Sequence, residues 1–587
     1  MATANSTGTL AIPEPGHEVA PTATHDLDAA LATLRERAAA WIATDVDARL
    51  ELLAELVDDA LEAAPAWTLA AAEAKGIRRD SPLMGEDWIS GPLLVIRNLQ
   101  LLVRTLEQVR DTGRPQPPSL EVAPNGQVVA KVFPVDWVDQ LLFTGFTGEV
   151  RLQPDVSLDQ AVARIGRVYR DPQTSAPTVS LVLGAGNVSS IGPMDALYEL
   201  FARNRVVVLK MNPVNAHLGP HIGAAFQPLV REGFLRIVYG GQEVGEYLTT
   251  HDAVDTIHVT GSDKTYEAIV FGTGEEGARR KAAGEPRSTK PVTAELGNVS
   301  PVIVVPGPWS EKDLAFHGEN IASMLVNNGG FNCVAARVVV QHRQWAKRRK
   351  LVNAIRDSLR RAEPRVPYYP GAVERWRQFT AAHPTAEWYG TAPGEGDDDR
   401  LPFTLIPDLD PDDLDDVAFT TESFCGVFGE VALDAPRAVG DYLDAAVEFC
   451  NETLWGTLSA SILVHPDSMK DPEIAMAVER AIDRLRYGSV VVNHWSAVPY
   501  GMASTSWGPY PGSTPQDIQS GTGVVHNTFL LEDVEKAVVR GPFRPPLKPV
   551  WFHSHRALAK LAPKLVELTA TGDRRLLPAI SWHALRG

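Results

Sequence analysis

Cysteine is scarce in this chain of 587 residues: Cys333, Cys425 and Cys450 are its only three. Three widely spread thiols are too few for a disulfide framework or for a four-thiolate metal site. We therefore predict a reducing, intracellular environment and no bound metal, and each cysteine needs an explanation of its own.

Long apolar runs are also missing. No apolar stretch reaches the length that crosses a bilayer, so the sequence predicts no membrane partner. The first 24 residues contain neither Lys nor Arg and no apolar run, which is unlike a signal peptide and predicts a disordered extension. Together these absences predict a cytoplasmic protein.

Positive charge is in the minority, with 55 Lys and Arg against 73 Asp and Glu and a formal net charge of −18. Nucleic acids are held by basic surfaces, so we expect no nucleic-acid partner. The hydrophobic fraction of 44% and the charged fraction of 22% are typical of a soluble globular protein. The length allows roughly three or four units of about 150 residues.

Apolar runs alternate with helical patterns along most of the chain. Residues 26–75 have helical spacing, and residues 126–153 contain short β-rich runs typical of a hairpin. Two series of buried-strand patterns with helices between them follow, at about 176–262 and from about 300 to 495. This alternation predicts an α/β fold with parallel sheets. The acidic segment 391–416 is expected to be a solvated loop, not a calcium site.

Few residues point to chemistry when each is taken alone. The GAGNVSS turn is only part of a dinucleotide fingerprint, and a tight turn explains its glycines equally well. Asn187 in that turn could stabilise an oxyanion or simply favour the turn. Glu295 could be a general base or a surface carboxylate.

The three cysteines have different surroundings. Cys333 lies in NNGGFNCVAAR, a polar, glycine-rich loop that suits an accessible nucleophile. Cys425 and Cys450 have aromatic and apolar neighbours, which favours core packing.

Eight segments together resemble the aldehyde dehydrogenase superfamily, in the same order, from about residue 30 to residue 525. The strongest likeness lies in the ELG-x-x-SP segment at Glu295, the E-S-F segment at Glu422, and the 23-residue interval from Asn187 to Lys210. The segments are GAGNVSSIGP, VVVLKMNP, VTGS, TAELGNVSP, NNGGFNCVAAR, TTESFCGVFGEV, GTLSASILVH and LRYGSVVVNHW.

The resemblance implies oxidation of an aldehyde to a carboxylic acid with NAD or NADP. Cys333 would attack the aldehyde carbon, giving a thiohemiacetal and then a thioester. Asn187 would hold the oxyanion, and Glu295 would deprotonate water or the thiol. The implied cofactor-binding residues are Lys210, Gly261, Ser262, Gly297, Glu422 and Phe424.

Departures from the family pattern leave alternatives open. Gly186, Val188 and Ser189 replace the usual neighbours of the oxyanion Asn, and Cys333 lies one place later than usual. Pro213 replaces an acidic ribose contact, which leaves NAD and NADP both open. The charged stretch GEEGARRKAAGEPRSTK before Glu295 is read as a surface insertion.

Two other functions compete with acid formation. In one of them, coenzyme A and not water attacks the thioester, or an acyl thioester is reduced in the corresponding reverse direction. Glu295 argues against it, because a water-activating base is needed only for hydrolysis. The other is a catalytically silent binding or scaffold protein.

The resemblance also implies three structural parts: a Rossmann-type nucleotide-binding domain, an α/β catalytic domain and a β-hairpin oligomerisation element. A homodimer or homotetramer would follow from the hairpin, whose partner strand is expected near Asn527–Leu531. Trp455, Trp495, Tyr500 and Trp507 could line a tunnel for the aldehyde or pack in the core. The assigned boundaries are 1–24 for the N-terminal extension, 25–125 and 173–292 for the NAD(P)-binding domain, 293–520 for the catalytic domain, 126–172 and 521–545 for the oligomerisation element, and 546–587 for a C-terminal tail.

Overall fold

The computed structural model describes residues 19–172, 175–394 and 400–587. Within these residues the chain forms seventeen strands. They are β1 (Ser119–Val122), β2 (Val128–Phe133), β3 (Thr147–Leu152), β4 (Val179–Leu183), β5 (Val206–Lys210), β6 (Leu235–Val238), β7 (Thr256–Gly261), β8 (Val292–Leu296), β9 (Ser300–Val304), β10 (Ala336–His342), β11 (Glu387–Tyr389), β12 (Phe403–Leu409), β13 (Val427–Leu433), β14 (Ser459–Leu463), β15 (Ser489–Val492), β16 (Gly521–Thr522) and β17 (Val534–Arg540).

The same residues form twenty-two α-helices, of which α2 and α14 begin at side-chain caps from Asp45 and Ser310. The helices are α1 (Thr24–Ala43), α2 (Val46–Ala74), α3 (Met84–Trp88), α4 (Leu94–Thr112), α5 (Trp137–Leu142), α6 (Leu158–Arg164), α7 (Arg167–Arg170), α8 (Ile191–Leu197), α9 (Gly219–Ala225), α10 (Gln227–Arg231), α11 (Gln242–Thr250), α12 (Asp263–Val270), α13 (Gly274–Ala283), α14 (Glu311–Val326), α15 (Arg348–Leu359), α16 (Ala372–Ala382), α17 (Val417–Thr420), α18 (Val439–Glu452), α19 (Pro472–Arg484), α20 (Val498–Met502), α21 (Leu558–Thr571) and α22 (Leu577–Ala584). None of them is both long and apolar enough to cross a membrane.

A six-stranded sheet has the order β16-β8-β7-β4-β5-β6. Its strands from β8 to β6 are parallel, and β16 is antiparallel to β8. β4, β5 and β7 are almost wholly buried, because helices such as α1 and α8 pack on the sheet. The carboxyl ends of β5, β7 and β8 carry Lys210, Gly261 and Glu295, so the parallel arrangement brings these three residues to one edge.

An eleven-stranded sheet has the order β1-β2-β3-β17-β15-β14-β9-β10-β13-β12-β11. The strands from β17 to β12 pair in parallel, and the antiparallel β1, β2 and β3 continue the sheet on one side through β17. The two parallel sheets confirm the predicted α/β fold with a Rossmann-type part and a second α/β part. In this arrangement the predicted oligomerisation hairpin is paired within its own chain.

Two segments differ from the sequence prediction. The strand that pairs with β3 is β17, not Asn527–Leu531. That earlier segment turns, because the Asn527 side chain accepts from Leu531 N at 2.9 Å and also donates to the Leu531 carbonyl. The acidic segment 391–416 is not all loop, since its apolar Phe403, Leu405 and Ile406 are buried in β12 between β11 and β13.

The two ends of the described chain pack on the N-terminal helices and the six-stranded sheet. Residues 1–18 of the predicted extension lie outside the described residues. Thr22 exchanges hydrogen bonds with Tyr239 at the end of β6. The C-terminal segment forms α21 and α22, and α21 packs so closely on α3 that a Cβ at Gly85 would lie 2.4 Å from the Leu558 side chain.

Candidate active site

All nine residues singled out from the sequence line one pocket. Its volume is about 460 Å³, and it lies at the carboxyl ends of β4, β5, β7 and β8. The nine residues are Asn187, Lys210, Gly261, Ser262, Glu295, Gly297, Cys333, Glu422 and Phe424.

Cys333 reaches the pocket on a tight loop between α14 and β10. Asn328, Gly329 and Gly330 all have positive φ angles in this loop. Gly330 is required there, because a Cβ would lie 2.6 Å from the Cys425 carbonyl oxygen. Cys333 is partly exposed, whereas Cys425 and Cys450 are buried in the core, as predicted.

The thiol of Cys333 and the carboxyl group of Glu295 face one another. Cys333 Sγ donates to Glu295 Oε1 at 3.8 Å. Burial raises the pKa of the Cys333 thiol well above its usual value, and the carboxyl groups of Glu295 and Glu422 raise it further. The resting thiol is therefore protonated, and it needs a base.

Glu295 has the properties of that base. Burial, and then the negative charge of Asp195, raise the pKa of Glu295 to about 7. The indole of Trp507 favours the ionised form, although Glu295 Oε2 and Trp507 Nε1 are both buried without a well-formed hydrogen bond. A carboxyl group that titrates near neutrality can both accept and return a proton at physiological pH.

Asn187 follows β4 and is tied to the Cys333 loop. Its Nδ2 donates to the Phe331 carbonyl at 2.9 Å, and its own carbonyl accepts from Tyr368 Oη and Asn328 Nδ2, each at 3.0 Å. The preceding residue must be glycine, because a Cβ at Gly186 would lie 2.6 Å from Asn212 Oδ1. This close approach explains why no aromatic residue precedes Asn187.

Lys210 ends β5 inside the pocket. Burial lowers its pKa to about 8. Within the described part of the chain, its Nζ makes only a long 3.5 Å contact, with the Met211 carbonyl. Across the pocket Ser262 caps α12 by accepting from Thr265 N at 3.1 Å.

Glu422, Gly297 and Phe424 also line the pocket. Burial raises the pKa of Glu422 to about 7, against the lowering effect of Arg337 and Arg375. Gly297 makes room for this carboxyl group, since a Cβ there would lie 1.9 Å from Glu422 Oε2. Glu422 Oε1 is buried and has no hydrogen-bond partner among the residues that the structure describes.

Several pocket residues were not found from the sequence. Tyr369 packs edge-on against Phe424 at 4.9 Å, and Arg375 donates to the carbonyls of Ser423 and Phe424. Arg287 lines the pocket although it belongs to the stretch predicted as a surface insertion. These residues come from distant segments, and no local pattern marks them.

The four aromatic residues considered for a tunnel pack in the core. Trp455, Trp495 and Trp507 are buried, and Trp495 Nε1 donates to the Val334 carbonyl at 2.7 Å. Tyr500 packs edge-on against Trp507 at 5.5 Å. Among residues 19–172, 175–394 and 400–587, no group of three or more His, Cys, Asp or Glu side chains is placed to hold a metal ion.

Part of the sequence matches the model of a known protein family. Residues 179–367, which include Asn187, Lys210, Glu295 and Cys333, match the model of the "Aldehyde dehydrogenase family". About a third of the chain, which carries four of the residues singled out from the sequence, therefore matches this family.

A 1-pyrroline-5-carboxylate dehydrogenase of Bacillus licheniformis is 28% identical to this aldehyde dehydrogenase-like chain over 303 residues, which are 47% of the chain. The match spans about half of that relative, or 54% of its length.

Two solved structures share the fold. A mutant of aldehyde dehydrogenase C from Pseudomonas syringae, complexed with NAD+ and octanal, has a TM-score of 0.57 and 18% identity over 90% of this chain and 91% of that one. The NADP-dependent glyceraldehyde-3-phosphate dehydrogenase of Bacillus halodurans, complexed with NADP, has a TM-score of 0.56 and 17% identity over 88% of this chain and 92% of that one.

Proposed function

We propose that this protein oxidises an aldehyde to a carboxylic acid with NAD or NADP, through a covalent intermediate on Cys333. The observation that carries the proposal is the 3.8 Å contact between Cys333 Sγ and Glu295 Oε1, in a pocket shared with Lys210 and Glu422. The match of residues 179–367 to the aldehyde dehydrogenase family model and the NAD+ and NADP complexes of the two solved structures support it.

The pocket fits a dinucleotide. Lys210 Nζ has donors to spare, and the buried Glu422 Oε1 lacks a partner that a ribose hydroxyl would supply. A Cβ at Gly261 would lie 4.0 Å from its nearest atom, so there is free space in the pocket beside Gly261, just before α12. Lys210 and Glu422 would hold ribose hydroxyls, and Ser262 with the N-terminus of α12 would hold the diphosphate. Phe424 would pack beside them.

Glu295 starts the reaction by taking the proton of the Cys333 thiol. The thiolate then attacks the aldehyde carbon, and the carbonyl oxygen becomes an oxyanion. The second amide proton of Asn187 and the backbone N–H of Cys333 are the donors for that oxygen. When bound, the nicotinamide supplies the hydride acceptor. Glu295 then releases the thiol proton to solvent and deprotonates the water that attacks the Cys333 thioester. The C–S bond breaks, the acid leaves, and the Cys333 sulfur departs as the thiolate.

A turnover assay with a matched cysteine control tests this proposal. The full-length protein is incubated with NAD or NADP and a panel of aliphatic and aromatic aldehydes, and reduced cofactor is followed by absorbance. We expect turnover by the parent and by Cys450→Ala, whose thiol is buried in the core, and none by Cys333→Ala. Turnover that survives in Cys333→Ala contradicts the mechanism.

The thioester's fate is tested by product analysis. Release of the free acid without coenzyme A is the expected result, and dependence on coenzyme A would replace hydrolysis by acyl transfer. An inert Cys333 thiol together with no turnover on any aldehyde would favour a silent binding protein.

A further inference from the structure

A buried histidine and a buried aspartate lie close to Glu295. His258 belongs to β7 and Asp195 to α8, and Asp195 is fully buried. His258 Nε2 is 3.6 Å from Asp195 Oδ2, and Thr260 Oγ1 donates to the same Oδ2 at 2.9 Å. None of these three residues has a part in the reaction proposed above.

The register of the six-stranded sheet places this pair beside the base. On β7 and β8, His258 is opposite Thr293 and Thr260 is opposite Glu295. Because alternate residues of a strand share one face, all four side chains project from the same face of the sheet. His258 Nδ1 and Thr293 Oγ1 are 2.9 Å apart, which fixes the ring.

The other charged and titratable groups around the pair are already balanced or neutral. Glu199, one turn after Asp195, is paired with Arg205 at 2.9 Å. His526 is buried with no partner on either ring nitrogen, and burial lowers its pKa to about 3, so it stays neutral. Burial raises the pKa of the Tyr500 hydroxyl well above 10, and that of the Cys333 thiol is raised as well. Asp195 is thus the charge that His258 is placed to balance.

We propose that His258 is a positioning residue for the proton chemistry of this site: its imidazolium, held on Asp195, cancels the Asp195 charge and so keeps Glu295 able to take the proton of Cys333. The inference rests on the proposed function, because it assigns His258 a role through the base of that reaction. The buried ion pair of His258 and Asp195 thus sets the pH at which Glu295 becomes ionised.

The signs of the interactions support this role. Asp195 disfavours a second negative charge on Glu295, and protonated His258 favours it. Burial alone would lower the pKa of His258, but the Asp195 carboxylate, followed by Glu199 and Glu295, raises it above its usual value. Removing the imidazole alone therefore leaves Asp195 unbalanced beside the base, whereas removing both charges leaves the site neutral.

The rate of Cys333 alkylation as a function of pH tests the inference without requiring turnover. Alkylation of the full-length protein is quantified at Cys333 by mass spectrometry from pH 5 to 9. In the parent the rate rises through the titration of Glu295, near pH 7. In His258→Gln we expect this midpoint to rise by about one pH unit, which is about a fivefold lower rate at pH 7 and about a tenfold lower rate well below pH 7.

Asp195→Asn with His258→Gln is the decisive comparison. The double variant should return the midpoint toward that of the parent, although it carries one more substitution. His526→Gln is the matched control, because it removes a neutral buried histidine and should leave the midpoint unchanged. Circular dichroism verifies that each variant is folded.

Three results would overturn the inference: a midpoint that does not move in His258→Gln, a double variant that is shifted further than the single one, or alkylation that does not depend on pH in the parent. A merely structural role would lower thermal stability in all variants and leave the midpoint in place. Shifted alkylation together with no turnover on any aldehyde would overturn the proposed function while sustaining the coupling of His258 to Glu295.

Discussion

Glu295 and Glu422 are two buried carboxyl groups that line one pocket. Burial is the largest cause of the raised pKa of each, and each is raised to about 7. Their neighbours differ, because Glu295 faces a thiol while Glu422 faces Arg337 and Arg375. Burial therefore sets the pKa of both carboxyl groups, whereas the neighbouring groups determine the role of each one.

Removing the carboxyl group at Glu295 should have the largest effect. In Glu295→Gln the Cys333 thiol loses its base, so we expect kcat/KM to fall by roughly 10²–10⁴-fold, the usual contribution of a positioned base. The cofactor KM should stay unchanged. Rapid-mixing kinetics should show no first burst of reduced cofactor, since the 3.8 Å contact makes thiol activation depend on Glu295. A retained burst would assign Glu295 to hydrolysis of the thioester alone.

Glu422→Gln should produce the opposite pattern. The amide can still contact a ribose hydroxyl but loses the charge-assisted acceptor, so we expect the cofactor KM to rise by about tenfold, near the worth of one such hydrogen bond. The value of kcat should fall much less than in Glu295→Gln. Steady-state kinetics with varied NAD and NADP measure both constants. Equal losses of kcat in the two variants would contradict the assignment of different roles to Glu295 and Glu422.

The pH dependence separates the two carboxyl groups further. In the proposed reaction Glu295 is the base, so its ionised form is the active one, and kcat/KM should fall as the pH is lowered through about 7. The expected slope below pH 6 is one decade per pH unit. Glu422→Gln should keep this acidic limb, because Glu422 does not accept the thiol proton. If the acidic limb disappears in Glu422→Gln, in which Glu295 is intact, then Glu422 and not Glu295 is the base.

Gly297→Ala should mimic the loss of Glu422. A Cβ at Gly297 would lie 1.9 Å from Glu422 Oε2, so the carboxyl group must move. We expect a several-fold rise in the cofactor KM and no further rise when Gly297→Ala is combined with Glu422→Ala, because Glu422→Ala leaves no carboxyl group for the Cβ to displace. Gly223→Ala is the matched control, because its Cβ would meet its nearest atom at 3.9 Å. Additive effects in the double variant would mean that Gly297 acts independently of Glu422.

The residues singled out from the sequence line the pocket, but other residues of the site were not found from the sequence. Cys333, Glu295, Asn187 and Lys210 stand in local motifs with fixed spacing, so their order along the chain indicated a shared site. Arg375 and Asp195 have no such motif: they reach the site through packing between distant segments, which a single sequence does not reveal.

The fold shows the same limit. Alternating apolar runs predicted the parallel sheets, since buried strands need them. The place of β17 was missed because Asn527 turns the chain by local side-chain hydrogen bonds before the strand begins. β12 was missed because the charge of the surrounding acidic residues outweighed its short apolar run.

Both carboxyl groups should also cost stability at alkaline pH. A raised pKa means that the folded protein binds protons more tightly than the unfolded chain, so stability falls as the pH rises from about 4.5 to about 7 and is constant above that range. For each group the difference is at most about 3 kcal/mol. Glu295→Gln and Glu422→Gln lack this term, so the thermal midpoint of each variant relative to the parent should be higher at pH 8 than at pH 5. Differential scanning calorimetry at the two pH values measures the effect. If only one variant shows this difference between pH 8 and pH 5, the carboxyl group replaced in the other variant does not have a raised pKa in the folded protein. Burial then does not affect Glu295 and Glu422 equally.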